Sequence, residues 1–384
     1  MHIAIDGLHL FGAYSGVQHA LARTLDAYQR RFPDDRVSLF VPRDFDGPPR
    51  LEADETSNLD IRRTWFRGRW RGVRTLWRNF RLQPACYRQR CGLLHGATYA
   101  LPALLSIPAV VTVHDLIALT HPQYCTPGSA KVQKHQLPRS IKVARRVLVP
   151  TETVKGQVVE RFKTPPERVD VVPWGVGPEF APIEDRTRLE EARKQWRLPE
   201  RFVLFVGTLE PKKNVEGLIR AFFAAKMHRK LPHALVLAGR LGWGMDNLDR
   251  LIRELNARDY IYLTGYVPDA ALPLVYNLAE CVVMPSHAEG FGMPVLEAMA
   301  SGTPVLIGAD PALREVAQGA ARTFEVGPHN PLQGLREALE EWLEEKEGSI
   351  SRAPWRAKGL ARVREMTWTR TAELTRASYE RALA

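Results

Sequence analysis

Short apolar runs alternate along the chain with longer segments whose apolar positions recur every three or four residues. HIAID (2–6) reads as a strand, a loop with Gly12 and Gly16 follows, and a helical pattern runs from Val17 to about Arg31. VSLFVP (37–42), LLHGA (93–97), AVVTVHD (109–115), RVLVPT (146–151) and VDVVPW (169–174) repeat the strand signature, with helical stretches between several of them. A second series begins at FVLFVGTLE (202–210) and continues through ALVLAGR (234–240), IYLTGYV (261–267), CVVMPS (281–286) and PVLIG (304–308). Helical patterns fall at 214–227, 247–257, 269–278, 294–301 and 311–317. Continuous apolar strands separated by amphipathic helices are the mark of parallel sheets covered on both faces. Two such series predict an α/β protein of two doubly wound domains.

The Pro/Gly-rich stretch PWGVGPEFAP (173–182) separates the two series. It sets an N-terminal domain at 1–175 and a second at 176–365, with a charged helix at 184–196 and a Glu-rich one at 335–347. Trp368, Ala372, Leu374 and Tyr379 share a helical pattern in the tail, which makes 366–384 a closing helix. A chain of 384 residues suits two domains, and 45% hydrophobic content excludes a disordered or collagen-like protein. Four cysteines at irregular spacing form neither a disulfide framework nor a zinc pattern, which points to a reducing compartment and to no metal. MHIAIDGLHLF lacks the features of a signal peptide, and no long uncharged apolar run predicts a membrane span. The net charge of +11 sits almost wholly in residues 1–180, with 26 Lys and Arg against 16 acids. That asymmetry concerns a partner's field rather than the fold.

Candidate chemistry concentrates in PSHAEGFGMPVLEAMASGTPVL (285–306). Glu289 precedes the helix that Pro294 opens, and Glu297 lies one turn into it; both can accept hydrogen bonds from ligand hydroxyls. Gly290, Phe291, Gly292 and Met293 lie between strand and helix. There glycine permits close backbone approach, and helix-start amides can bind an anion. The plain alternative is a tight turn with two solvated carboxylates. Lys212 and Lys213 follow a strand and a turn at Pro211, placing two cations where a diphosphate could lie; the alternative is an exposed helix-start pair.

Glu289 to Glu297, with GFGMPVLEAMASGTPV (290–305), resembles the E-x7-E signature of the family-four retaining glycosyltransferases. FVGTLEPKKN (205–214) resembles their FVGTLEPRKN element, VVPWGVGPEF (171–180) their VIPNGVDPEF linker, and VTVHDLIAL (111–119) their VHDL segment. YSGVQHAL (14–21) resembles the N-terminal SGVGRY loop, and MTWTRTAELTRASYERAL (366–383) the closing helix. The six elements occur in the family's order.

The resemblance implies the GT-B fold, two Rossmann-like domains facing across a cleft, the tail helix crossing back to the first. It implies that Lys213 neutralises the departing nucleoside diphosphate, helped by Lys212 and the Thr208 loop. Tyr266 and Val267 would meet the base through the backbone. Glu297 would hold the ribose and Glu289 the hexose, with Gly290, Phe291, Gly292 and Met293 lending amides. Gly16 would close over the donor phosphate, although Gln18 and His19 replace the loop's second glycine and its arginine. His114, at a strand end beside Asp115, would contact the transferred sugar or the reacting centre. No metal or other cofactor is implied, because lysine and helix-start amides can carry the leaving-group charge. The implied reaction is a retaining hexosyl transfer, with GDP-mannose the first-choice donor and a glycan or lipid-linked oligosaccharide as acceptor.

The stretch RRTWFRGRWRGVRTLWRNFRL (62–82) holds eight arginines, three tryptophans and two phenylalanines. Trp65, Arg67, Arg69, Trp70, Arg74 and Trp77 read as a face for an anionic membrane surface, since indoles favour the lipid boundary and arginines reach head groups. Nucleic-acid contact and inward-packed tryptophans are the competing readings. The resulting expectation is a cytoplasmic enzyme, peripheral on the inner face of a membrane, with no nucleic-acid partner. From another class, a polyanion- or lipopolysaccharide-binding protein on an inactive scaffold remains an alternative.

Overall fold

The apolar runs become parallel strands buried on both faces. In the computed structural model, residues 1–12, 15–46, 58–325, 332–344 and 352–384 are described. They divide into two compact units, one of Met1–Pro122, Pro127–Gly175 and Thr367–Ala384, the other of Gln123–Thr126 and Val176–Met366.

The first unit holds β1 (His2–Asp6), β2 (Arg36–Val41), β3 (Leu59–Arg63), β4 (Leu93–Gly96), β5 (Ala109–Thr112), β6 (Arg146–Val149) and β7 (Val169–Val171). They form one parallel sheet in the order β3-β2-β1-β4-β5-β6-β7. Ile3 of β1 stands opposite Val37 of β2 and Leu93 of β4, all three essentially without solvent contact. The second unit repeats the design with β8 (Phe202–Val206), β9 (Ala234–Ala238), β10 (Ile261–Gly265), β11 (Cys281–Met284), β12 (Val305–Ile307) and β13 (Arg322–Thr323), ordered β10-β9-β8-β11-β12-β13. Each sheet reverses its winding at one place, between β1 and β4 and between β8 and β11. In open parallel sheets ligands bind beyond the carboxyl ends of the strands at such a switch.

The tail forms the helix Trp368–Leu383 and packs within the first unit. Its Tyr379 ring lies 5.9 Å from Tyr28 of the helix Gly16–Arg31, and its hydroxyl is 2.8 Å from His95 Nδ1. Arg376 also reaches Asp35 at 3.0 Å. The tail is thus a wall of the core, held by polar contacts that the spacing of its apolar residues does not announce.

Several elements differ from the sequence reading. β3 occupies Leu59–Arg63, so the first two arginines of the Arg/Trp stretch are strand residues. The 109–115 run leaves the sheet after Thr112. The Glu-rich helix is Gln333–Leu343, and residues 345–347 of its expected span lie outside the described ones. The helix Ala353–Val363 and the two-residue β13 have too little apolar periodicity to stand out in the sequence.

Candidate functional site

β8 and β11 flank the switch of the second sheet, so the loops that leave their carboxyl ends are neighbours despite their distance in sequence. The first carries Thr208, Lys212 and Lys213, the second Ser286 to Met293. Lys213 Nζ lies 2.5 Å from Glu289 Oε1, and Ser286 Oγ donates to the same oxygen at 2.7 Å. The His287 amide donates to the Lys212 carbonyl at 2.8 Å, tying the two loops through the backbone as well. Lys212 Nζ sits 3.1 Å from Glu210. Glycine is required where the β8 and β9 ends meet, because a Cβ on Gly239 would fall 1.8 Å from the Gly207 carbonyl oxygen.

Burial pushes the Glu289 carboxyl up, but the charges of Lys213 and Lys212 and the bonds from Lys213 and Ser286 outweigh it and hold it below the usual range. Asp310 is a member that the motif does not reveal. Its Oδ2 accepts from the Glu289 amide at 3.1 Å while its Oδ1 caps the helix Pro311–Ala317 through Leu313 N at 3.0 Å. Burial, with the Glu289 charge nearby, pushes the Asp310 carboxyl up. A helix-capping Asp before a proline was its signal in the sequence.

Gly290, Phe291 and Gly292 then turn the chain into the helix Met293–Ala300, with Pro294 in its first turn. Gly292 has φ +98, a left-handed conformation suited to glycine, and a Cβ there would meet Leu313 Cδ2 at 2.4 Å. Phe291 is buried and anchors the turn from beneath. Helix-start amides lack intrahelical acceptors and can receive an anion. One turn in, Glu297 Oε2 accepts from the Tyr276 hydroxyl at 2.7 Å. Tyr276 is wholly buried, and desolvation together with the Glu297 charge keeps its phenol protonated. Beyond β10, Tyr266 is exposed with the Arg240 guanidinium 4.3 Å from its ring centre, whereas Val267 is buried. The second unit therefore gathers Thr208, Lys212, Lys213, Tyr266, Val267, Glu289, the 290–293 turn and Glu297 along the carboxyl ends of β8, β10 and β11.

His114 and Gly16 belong to the first unit, at the carboxyl ends of β5 and β1. His114 stands two residues past β5, buried, with its ring set edge-on to Tyr99 and 5.7 Å from Trp174. Its Nε2 is 2.8 Å from the Ala97 carbonyl, which can only accept, so Nε2 bears the proton and Nδ1 presents a lone pair. That Nδ1 has no partner among the described residues, and burial lowers the affinity of the ring for a second proton. His114 can thus accept a hydrogen bond from a hydroxyl.

Gly16 is the first residue of its helix. Gln18, which departs from the family's loop, has a structural role. Its Oε1 accepts from Ser15 N at 2.7 Å, and its Nε2 donates to the His9 and Phe11 carbonyls at 2.9 and 3.3 Å. His9, in the same loop, has both ring nitrogens shut away without partners among the described residues. The acid-x-acid triplet Asp44-Phe45-Asp46 follows β2, yet Asp44 Oδ1 accepts from Gly68 N at 2.7 Å. Among the described residues no group of His, Cys, Asp and Glu could hold a metal.

The Arg/Trp stretch divides between two environments. Trp65 and Trp70 are 67% and 44% exposed, and Arg67 and Arg69 are exposed beside them. Leu76 and Phe80, 59% and 70% exposed, join this outward set. Trp77, expected on that face, turns inward instead, with its ring 5.9 Å from Phe40 and 6.1 Å from Phe66. Arg74 is half-buried over Phe11 at 5.1 Å, and its Nη1 donates to the Gly68 carbonyl at 3.2 Å. Arg78 pairs with buried Asp6. Trp77 ends a short helix, Arg71–Trp77, and Arg78 begins the π turn Arg78–Leu82 that follows it. No helix among the described residues is long and apolar enough to cross a membrane.

Two family models account for most of the chain: "Glycosyltransferase Family 4" matches residues 14–180 and "Glycosyl transferases group 1" residues 188–360. The O-antigen chain mannosyltransferase B of Escherichia coli is 29% identical over 280 residues, covering 72% of this chain and 71% of that one. The serotype-specific mannosyltransferase WbdA of Escherichia coli is 28% identical over 303 residues, 75% of this chain but only 36% of that longer protein. Sucrose-phosphate synthase from Thermosynechococcus elongatus shares the fold, with a TM-score of 0.75 at 20% identity over 99% of this chain and 98% of that one.

Proposed function

The chain belongs to the family-four-type glycosyltransferases and has their two-domain GT-B fold, and from that premise we propose that it transfers a mannosyl residue from GDP-mannose to a glycan or lipid-linked oligosaccharide. The observation that carries the site is the Lys213–Glu289 pair beside the helix-start amides at 290–293. A cation, a row of amide donors and a carboxylate acceptor are what a diphosphate esterified to a polyhydroxylated sugar needs. The phosphate oxygens take Lys213 and the amides, and the hexose hydroxyls donate to Glu289. Glu297, already held by Tyr276, takes the ribose hydroxyls. Mannose as the sugar is supported by the names of the two relatives described above.

In this reading the acceptor oxygen forms a bond to the anomeric carbon as the carbon–phosphate-oxygen bond breaks. The acceptor proton passes to the departing phosphate, and the anomeric configuration is kept. Lys213 and the amides stabilise the charge on the leaving diphosphate, so no metal ion is needed. His114 Nδ1, with its lone pair free, accepts a hydroxyl of the transferred sugar. The exposed Trp65, Arg67, Arg69 and Trp70 hold the protein on an anionic membrane surface next to a lipid-linked acceptor.

A donor panel of GDP-mannose, UDP-glucose, ADP-glucose and dTDP-rhamnose tests the reading, with a lipid-linked oligosaccharide as acceptor and chelator present throughout. Mannosylated product of retained configuration by NMR is the expected result. Turnover of a different donor, or none without a divalent ion, refutes the donor or the metal independence respectively. Thermal stabilisation by polyanions with none by any nucleotide would instead favour a binding protein.

A further inference from the structure

The second unit has another polar cavity, of about 240 Å³, at the far end of its sheet. Glu280, Thr303 and Pro304 line it and stand just before β11 and β12, at the amino ends of strands whose carboxyl ends carry the site described above. A nucleotide sugar bound at Lys213 therefore does not reach it. Ser301 and Gly302, past the end of the Met293–Ala300 helix, form one wall. Arg352, Ala353 and Arg356 form the other.

The charges around this cavity do not cancel. Glu280 is its one carboxylate, and it is already engaged by Arg201 at 2.6 and 3.3 Å, by Arg352 at 2.5 Å and by His233 Nε2 at 3.0 Å. Burial alone would raise that carboxyl, but its ring and guanidinium partners hold it ionised far below the usual range. Two guanidinia line the cavity: Arg352 is engaged with Glu280, and Arg356 has no side-chain partner among the described residues. Arg356 lies over Gly302, where a Cβ would be 3.1 Å from its Nε. Ser301, a lining residue, is 2% exposed, and its hydroxyl has no hydrogen-bond partner among the described residues. A buried hydroxyl left unpaired is costly, and a water, an ion or a bound group satisfies it. Ala353 opens the eleven-residue helix Ala353–Val363, whose positive dipole end adds to the same wall; Ala353 and Trp355 carry amide hydrogens there, whereas Pro354 has none.

We propose that this cavity is a second anion site, for phosphate or a small soluble phosphomonoester, held by Arg356, Arg352, the Ala353 amide at the start of the Ala353–Val363 helix and the Ser301 hydroxyl. Such a ligand would bridge the end of one helix to the start of another beneath the strand that leads to Glu289. Its concentration would thereby act on the donor loop from the opposite end of β11.

Titration of the full chain with inorganic phosphate, followed by 31P line width, tests the site. Saturable binding is expected in the wild type and in Lys213→Gln, which removes the cation of the donor loop. Arg356→Gln, at an exposed side chain whose loss leaves the fold intact by circular dichroism, should weaken that binding roughly tenfold, the factor carried by one charge-assisted hydrogen bond. Ser301→Ala should weaken it by a smaller factor without lowering thermal stability. Absence of saturable binding in the wild type overturns the proposal. So does binding that disappears in Lys213→Gln while Arg356→Gln leaves it untouched.

Discussion

Lys213 and Glu289, 76 positions apart in the sequence, meet at 2.5 Å with side chains only 13% and 8% exposed. Each is the other's counter-ion as long as no ligand is bound. Under the function proposed above, a diphosphate that takes the ammonium leaves Glu289 with Ser286 and open to the hydroxyls of the sugar, which couples binding of the two halves of the donor. Lys213→Ala leaves a buried carboxylate with a single hydroxyl donor, and removing one partner of such a pair typically costs about 3 kcal/mol or more. Lys213→Ala should therefore lose both transfer activity and thermal stability. Lys213→Ala/Glu289→Gln should recover most of the stability and none of the activity. Equal melting temperatures for the single and double variants would mean that the pair is not coupled.

Tyr276 positions Glu297 from beneath, since the phenol is wholly buried and donates to Oε2 at 2.7 Å. Tyr276→Phe removes that bond and keeps the ring, at a cost of about 1 kcal/mol in stability. A carboxylate free to rotate holds ribose hydroxyls less well. The donor KM should rise several-fold while kcat changes little, because the ribose lies away from the reacting bond. A fall in kcat with unchanged KM would place Glu297 at the chemistry instead. Steady-state kinetics with varied donor separates the two.

Most of this frame could be read from the chain because its determinants are local. The strands β8 to β12 are continuous apolar runs, and Pro294 and Gly292 mark a helix start by their own backbone preferences. The residues that meet beyond β8 and β11 stand out through the spacing of Glu289 and Glu297 and through the lysine pair after β8. What stayed hidden is what depends on partners distant in sequence. The pattern of 62–82 does not separate outward from inward tryptophans, and the structure divides them: Trp77 packs on Phe40 and Phe66, and Arg78 meets Asp6. The supporting bonds of Asp310 and Tyr276, the partnerless ring of His9 and the partnerless Nδ1 of His114 among the described residues exist only once the loops have assembled.

Acid should destabilise the protein earlier than carboxylate titration alone would. Burial, reinforced by neighbouring His and Arg charges, lowers His9 from its ordinary 6.5 to about 3, and burial with the His114 charge does the same to His95. Both rings stay neutral in the fold and charge once the chain unfolds, so between about pH 6.5 and 3 the unfolded state binds more protons. Stability then falls as pH drops through that window, by about 1.4 kcal/mol per pH unit for each ring. Glu280, Asp35, Asp170 and Glu289 are held below the usual range, so their contribution is lost only at lower pH, as those carboxyls protonate. Melting temperatures should decline from pH 7 to 5, and His9→Leu should flatten that limb. An unchanged slope in the variant would show that His9 is not its source.

The two environments of the Arg/Trp stretch predict opposite behaviour for tryptophans that look alike in the sequence. Trp65 and Trp70 stand in solvent, so Trp65→Ala/Trp70→Ala should alter stability by no more than about 0.5 kcal/mol per site. Trp77 packs on two phenylalanine rings, and its truncation should cost about 3 kcal/mol. On vesicles containing anionic lipid the order should reverse. The Trp65/Trp70 double variant should lose sedimentation with the vesicles, since in the proposed membrane reading the exposed indoles and the neighbouring Arg67 and Arg69 supply the contact. Trp77→Phe, which keeps an aromatic ring in the core, should bind them like the wild type. Binding should also weaken as salt is raised, because the arginine contribution is screened. Retained vesicle binding by the Trp65/Trp70 variant at every salt concentration would remove this face from the membrane reading and leave the tryptophans free for another contact.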